Sequence, residues 1–262
     1  KILFVASEGV PFIKTGGLAD VVGSLPKCID KEYFDVRVIL PKYTCMKQEM
    51  KDKMEYVTHF YMDFHWKSEY VGVLQAEVEG IKFYFIDNED YFHRKSIYHD
   101  ANGEFFKDNG ERAIFFARGV LETVKKLRWA PDVIHCQGWI SHILPIYLKK
   151  AYIDDPIFSN SKVVLSLYND APDASFPEDI KGKMLFGGVT EKDVEILNEP
   201  SGINLAKLAA SWSDGIIMGS DNINEELVNF CKDSGLPVLP FNAESIQDGS
   251  YINDYNSFYD NL

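Results

Sequence analysis

Positive charge is scarce in this sequence. Lys and Arg total 27 against 40 Asp and Glu, a formal net charge of -13 over 262 residues, and no basic residue follows Lys232. Nucleic acids and anionic lipid surfaces are held by basic patches, so the deficit argues against both as partners. Long hydrophobic runs are also missing: none reaches the roughly 20 apolar residues that span a bilayer. Cysteine is sparse. Cys28, Cys45, Cys136 and Cys231 lie far apart with no C-x-x-C pair, which suggests neither a zinc site nor a disulfide framework and fits a reducing, cytoplasmic setting. What remains is globular material, 46% hydrophobic and 26% charged, long enough to bury roughly three-quarters of its unfolded surface as one large domain.

Strand and helix patterns alternate along most of the chain. Lys1 to Ala6 reads as a strand, Leu18, Val21, Val22 and Leu25 recur at helical spacing, and Phe34 to Leu40 reads as a buried strand. This opening predicts an α/β fold, a doubly wound, Rossmann-like, mostly parallel sheet. Residues 54 to 86 break the alternation: period-two runs separated by Glu79-Gly80 predict an antiparallel hairpin insert, with Trp66 in edge packing and His65 solvated. A helix is expected from Asp108 to Leu127, capped by Asp108 or Asn109, then strands from Asp132 to Cys136 and from Lys162 to Leu167. Helices from Thr190 to Leu197 and from Ile203 to Trp212, a strand from Gly215 to Met218 and a helix from Asn222 to Phe230 follow. Prolines confine the run from Gly235 to Phe241 to a sheet edge. The loop from Asp170 to Gly188 is long enough to be functional or mobile. From Asn242 to Leu262 the composition is Asn, Asp, Ser and Tyr with little periodicity, so the domain is expected at 1–241 with an acidic tail at 242–262.

The most chemically loaded turn joins the first strand to the first helix. It reads Glu8-Gly-Val-Pro-Phe-Ile-Lys14-Thr-Gly16-Gly17-Leu-Ala-Asp20. Glycines let a ligand approach the backbone, a helix N-terminus offers free N–H groups to phosphate, and Lys14 would add a full charge. The spacing is neither a P-loop nor G-x-G-x-x-G, and a plain turn that needs glycine accounts for it equally well. A second candidate is the polar, aromatic loop from Asp87 to Asp108, containing His93, Tyr98 and His99. Its rings and hydrogen-bonding groups suit a sugar surface, as they also suit an ordinary surface loop.

The run Lys-Thr-Gly-Gly-Leu-Ala-Asp-Val-Val-Gly-Ser-Leu-Pro-Lys, preceded by Ser7-Glu8, resembles the N-terminal signature of bacterial glycogen synthases and plant starch synthases. That resemblance implies the N-terminal half of a GT-B architecture and a retaining glucosyl transfer from ADP-glucose to an α-1,4-glucan or maltooligosaccharide, with no separate cofactor and no metal. It also implies that Lys14, Gly16 and Gly17 meet the nucleotide sugar. Glu8, Tyr98, Trp139 and Asn169 would face the glucan, with Asp20 orienting Lys14 or capping its helix. A C-terminal GT-B domain, which in the family supplies most of the nucleotide pocket and a carboxylate essential to transfer, has no counterpart in these residues.

Two sites depart from the pattern. The family's His-Asp-Trp after the strand is Gln137-Gly138-Trp139 here, and its strand-end histidine, close to the reacting sugar, is Tyr168. Losing one positioned transition-state contact typically costs on the order of a hundred- to a thousandfold in rate. The resemblance therefore leaves two expectations: the acceptor-side domain of a synthase, inactive as this isolated chain, or a diverged, non-catalytic protein that binds glucan or regulates a synthase.

Overall fold

Five consecutive apolar residues with nothing polar between them have no solvent face to offer, and β1 (Ile2–Ala6) lies accordingly at the centre of the sheet, buried along its length. The computed structural model describes residues 1–262. With β2 (Val36–Pro41), β3 (Glu55–Asp63), β4 (Ser68–Val78), β5 (Ile81–Asp87), β6 (Val133–Gln137), β7 (Lys162–Leu167), β8 (Gly215–Met218) and β9 (Val238–Leu239), it makes a nine-stranded sheet in the order β3-β4-β5-β2-β1-β6-β7-β8-β9. All neighbours are parallel except β3 with β4 and β4 with β5. The doubly wound sheet and its antiparallel insert are as the periodicity predicts. The two-residue turn at Glu79 and Gly80 has positive φ at both positions, +50° and +80°, the geometry that a tight hairpin requires.

Connections on the two sides of β1 run in opposite directions. The helix Gly17–Cys28 crosses from β1 to β2, whereas the chain after β6 moves the other way to β7, β8 and β9. Right-handed crossovers moving in opposite directions fall on opposite faces of a sheet. The helix Asn109–Leu127 covers the back of the hairpin insert, where Gly119 admits Ile86, Val71 and Met62.

Several local expectations are revised. Asp108 sits at the N-cap of the Asn109–Leu127 helix, but its carboxylate holds the Arg94 guanidinium instead of a helix N–H. The helix expected at 190–197 is wound tighter than an α-helix: Thr190 and Asp193 exchange side chain-to-backbone bonds as a capping box, and the backbone bonds after them run three residues back, ending in the 3-10 turn Glu195–Asn198. The loop after Asp170 contains a short helix, Ile180–Met184.

Residues 243 to 262 do not trail away. They form helices Ala243–Asp248 and Tyr251–Asp260, and the second packs across the sheet with Tyr255 and Tyr259 buried. Tyr259 Oη meets His135 Nδ1 at 2.6 Å, and Phe258 and Leu262 lie over Gly215 of β8, where a Cβ would be 2.8 Å from each.

Candidate functional site

Doubly wound sheets bind ligands outside the carboxyl ends of their strands, where the order reverses. Here that point lies between β1 and β6. A cleft of about 880 Å³ opens there, lined from the β1 side by Glu8, Thr15, Gly16 and Gly17 and from the β6, β7 and β8 ends by Trp139, Tyr168, Asn169, Asp170 and Ser220, with Tyr98 and Phe105 from the polar loop.

Glu8 builds the loaded turn. Its buried Oε1 accepts from the backbone N–H groups of Thr15 and Gly16, both at 3.0 Å, while Oε2 accepts from the Thr15 hydroxyl. This orders the turn at the N-terminus of the Gly17–Cys28 helix. Neither Gly16 nor Gly17 has positive φ, and a Cβ built on either meets no atom within 4 Å. The fold itself therefore does not demand glycine at these positions, and the space is open toward the cleft. Lys14 Nζ donates to Asp20 Oδ2 at 2.6 Å, a half-exposed pair beside the turn. Neither partner lines the cleft.

The aromatic wall is built by packing. Trp139 is only 3% exposed and meets the rings of Tyr98 at 5.2 Å, Phe105 at 5.5 Å and Phe176 at 5.9 Å. It forms the floor of the cleft more than a free stacking surface. Tyr98 is held there by the buried Arg112, which donates to the carbonyls of Tyr91 and Ile97 and to Asn109 Oδ1, tying the polar loop to its helix. Asn169 is exposed and makes no hydrogen bond within the chain.

The two departures in sequence meet in space. Tyr168 Oη donates to Gln137 Oε1 at 2.9 Å, and the Tyr168 ring lies on Gly219, where a Cβ would come within 2.5 Å of it. Burial pushes the Tyr168 hydroxyl well above its usual range, so it stays protonated. Gln137 keeps one amide nitrogen, Nε2, buried without a partner. Gly138, at φ +90° and ψ 151°, lies against Ser7.

Sequence reasoning passed over Asp170 and Ser220. Asp170 Oδ2 accepts from the Trp139 backbone N–H at 2.9 Å, and burial, with Glu8 nearby, raises its carboxyl to about 6 against that hydrogen bond. The Ser220 hydroxyl is buried without a partner at the cleft wall. Both follow strand ends, where topology could have flagged them. No group of three or more His, Cys, Asp or Glu side chains converges to hold a metal ion, and no helix is long and apolar enough to cross a membrane.

Two buried histidines give the domain an acid sensitivity. His135, between Tyr259 and Ser166, and His142, with neither ring nitrogen bonded, are each held down to about 3 by burial. Between pH 6.5 and 3 the unfolded chain takes up two protons that the fold refuses, so stability falls as pH falls. Two protons correspond to roughly 2.7 kcal/mol per pH unit; Asp170, which the folded state protonates more readily between about 4 and 6, offsets about one of them. Urea midpoints at pH 7, 6 and 5 are expected to fall steadily, with His142→Leu flattening the slope. A profile that stays flat from pH 7 to 5 would contradict the burial of both imidazoles.

Residues 1–237 match a family model described as the starch synthase catalytic domain. The glycogen synthase of Clostridium perfringens is 39% identical over 232 residues, covering 87% of this chain and 46% of that protein. The glycogen synthase of Lachnospira eligens is 45% identical over 169 residues, covering 64% of this chain and 34% of its own. Among solved structures, the catalytic domain of starch synthase IV from Arabidopsis thaliana, bound to ADP and acarbose, shares the fold with a TM-score of 0.73 at 22% identity, over 91% of this chain and 51% of that one. The chain spans about half the length of the curated relatives it matches. A match that takes in the loaded turn and every strand through β8 makes this chain a member of the starch synthase catalytic domain family.

Proposed function

We propose that these residues form the acceptor-side half of an ADP-glucose-dependent glucosyltransferase that elongates α-1,4-glucan. The observation that carries the reading is the vacant approach to Gly16 and Gly17, glycines the fold does not require, on a turn ordered by buried Glu8 at the switch point of the sheet. The Gly17 and Leu18 N–H groups, which start the helix and are not taken by Glu8, suit a diphosphate, and Lys14 supplies mobile positive charge once released from Asp20. Tyr98, part-exposed above the buried Trp139 floor, gives the glucan an apolar face to rest on, while Asn169 offers hydrogen bonds. Tyr168 occupies the place where the family pattern has histidine, with its hydroxyl already engaged by Gln137. A second GT-B domain would close the other side of the cleft and exclude water. These residues alone are therefore expected to bind without transferring glucose.

The test is calorimetric titration with maltooligosaccharides of increasing length, and with ADP and ADP-glucose in parallel. Affinity that rises with glucan length and measurable ADP binding support the reading; binding of neither would sink it. Gly17→Ala sharpens the donor arm. Gly17 is the first residue of a helix in a conformation alanine adopts, so stability should hold or rise by about 0.4–1 kcal/mol. ADP affinity should nevertheless drop by about tenfold, since the new methyl stands where the phosphate would approach. Unchanged ADP affinity in that variant would remove the turn from the donor site.

A further inference from the structure

The side chains that line the cleft include three carboxylates, Glu8, Asp170 and Asp173, and no Lys or Arg; only His99 among them can carry positive charge. The three carboxylates differ in what they are bonded to. Glu8 is buried and fully engaged, accepting from two backbone N–H groups and the Thr15 hydroxyl. Asp173 is exposed to solvent. Asp170, three residues past the end of β7, is half-buried and accepts only backbone N–H groups, that of Trp139 at 2.9 Å and its own. Its other lone pairs open to the cleft, where the groups facing it are Glu8 from the turn after β1, Tyr98 from the polar loop and Tyr168 from its own strand end. None of these is a cation, and the Tyr168 hydroxyl already donates to Gln137. Burial, with Glu8 adding to it, raises the Asp170 carboxyl to about 6, so the charge it carries at neutral pH costs the fold stability. No position of the family signature supplies this carboxylate: the aspartate of His-Asp-Trp is Gly138 here.

We propose that Asp170 is the residue that anchors a neutral sugar in the cleft, accepting hydroxyl protons of one glucosyl unit on its cleft-facing lone pairs. A partly buried carboxylate without a cation is stabilised by a ligand that brings it O–H donors, and hydrogen bonds to a charged acceptor are about twice as strong as neutral ones. Vicinal sugar hydroxyls deliver two such donors together, with the Tyr98 ring at hand for a C–H face. A phosphate is disfavoured beside Asp170, because the lining carboxylates repel it; the N–H groups of Gly17 and Leu18 remain for it at the start of the helix. A metal ion lacks its ligands, since no third His, Cys, Asp or Glu converges with these two. Asp170 thereby divides the cleft into an anion end and a polyol end, and selects unphosphorylated sugar at the second. That the sugar is a glucan rests on the proposed function; that it is a neutral polyol rests on Asp170.

The experiment is calorimetric titration of the 262-residue chain with maltoheptaose and with ADP, at pH 7 and pH 5, for the native protein, Asp170→Asn and His99→Gln. Circular dichroism checks folding at both pH values. Asparagine keeps an oxygen for the Trp139 N–H and removes the charge, so the thermal midpoint of Asp170→Asn at pH 7 should equal or exceed the native one. Its maltoheptaose affinity should nevertheless fall about tenfold, with ADP affinity unchanged or higher. In the native chain the carboxylate takes up its proton as pH falls through about 6, so maltoheptaose affinity should weaken about tenfold between pH 7 and pH 5. His99→Gln should keep that dependence and Asp170→Asn should lose it. A lower midpoint with native sugar affinity in Asp170→Asn would make the residue structural and overturn the proposal. So would native affinity that is equal at the two pH values, a result that needs no variant, or a native chain that binds no maltoheptaose. Maltoheptaose bound without regard to Asp170 or pH, alongside ADP, removes Asp170 from the site and leaves the proposed function standing. Maltoheptaose bound through Asp170 with no ADP binding keeps the anchor and removes the transferase reading.

Discussion

Removing residues 243–262 is expected to leave a chain that no longer folds. The Gly17–Cys28 helix covers only the β1 and β2 side of its face, because the crossovers after β6 fall on the opposite face. The Tyr251–Asp260 helix covers the remainder, from His135 on β6 to Gly215 on β8. Tyr255 and Tyr259 are 5% and 6% exposed, and Phe258 and Leu262 are partly buried against the same core. Burying a large apolar side chain contributes about 1.5–3 kcal/mol, so two buried and two half-buried side chains amount to roughly 6 kcal/mol before the uncovered sheet is counted. Net stability of a domain is about 5–15 kcal/mol. Near-ultraviolet circular dichroism of the chain ended at Asn242 should show no cooperative thermal transition. Tyr259→Phe is the graded control: it keeps the ring but leaves His135 Nδ1 buried and unbonded, a loss of about 1–3 kcal/mol. A shortened chain melting within a few degrees of its parent would show that the helix rests on the sheet without supporting it.

That helix marks where the sequence was hardest to read. Tyr251, Tyr255, Phe258, Tyr259 and Leu262 recur at helical spacing, but they sit among Asn, Asp and Ser, and tyrosine counts as neither clearly apolar nor polar. The pattern was present at low contrast. By comparison the nine strands are runs of β-branched and aromatic residues between turn residues, legible because burial on one or both faces leaves little choice of side chain. The segment at 190–197 differs in pitch more than in kind: its spacing looked helical and Thr190 with Asp193 caps its start, yet its backbone bonds run three residues back instead of four, a distinction that apolar spacing over eight residues does not make.

The cleft was legible where its chemistry is local. Glu8 reaches only seven and eight residues along the chain to order the turn, and the glycines it positions stand together in the sequence. Contacts between distant strand ends were not. Tyr168 and Gln137 lie 31 residues apart, and a third position, Gly219, makes room for the ring. Read singly, Tyr168 is a lost histidine; in place it is one part of a three-residue arrangement, so changing Tyr168 alone strands the Gln137 side chain, which already has an unbonded nitrogen. Trp139 was legible as an aromatic of the site, but its burial to 3% follows from Phe105 and Phe176, which no motif connects to it.

Gly138 is the position where restoring the family pattern should cost most. Gly138→Asp is expected to lower stability by about 4 kcal/mol or more, and the reason lies in the backbone before any chemistry of the carboxylate. At φ +90° and ψ 151° the residue occupies a region that is essentially reserved to glycine, where another residue costs about 1–3 kcal/mol. A Cβ would then stand 2.1 Å from Ser7 Oγ, 2.8 Å from Ser7 Cβ and 2.9 Å from Leu18 Cδ2, in a site where Ser7 is buried. Finally, the new carboxylate would enter beside Glu8 and Asp170, adding like charge to a poorly solvated place. Urea titration separates these contributions. Gly138→Ala measures backbone and contact together, Gly138→Asp adds the charge, and Gly138→Ala in a Ser7→Ala background relieves the closest contact while leaving those to Ser7 Cβ and Leu18 together with the dihedral strain, so a loss of at least about 1–3 kcal/mol should persist. If Gly138→Asp remained within 1 kcal/mol of the parent, the strand-to-turn junction after β6 would have to re-form around a side chain, and the departure at this position would no longer follow from the backbone.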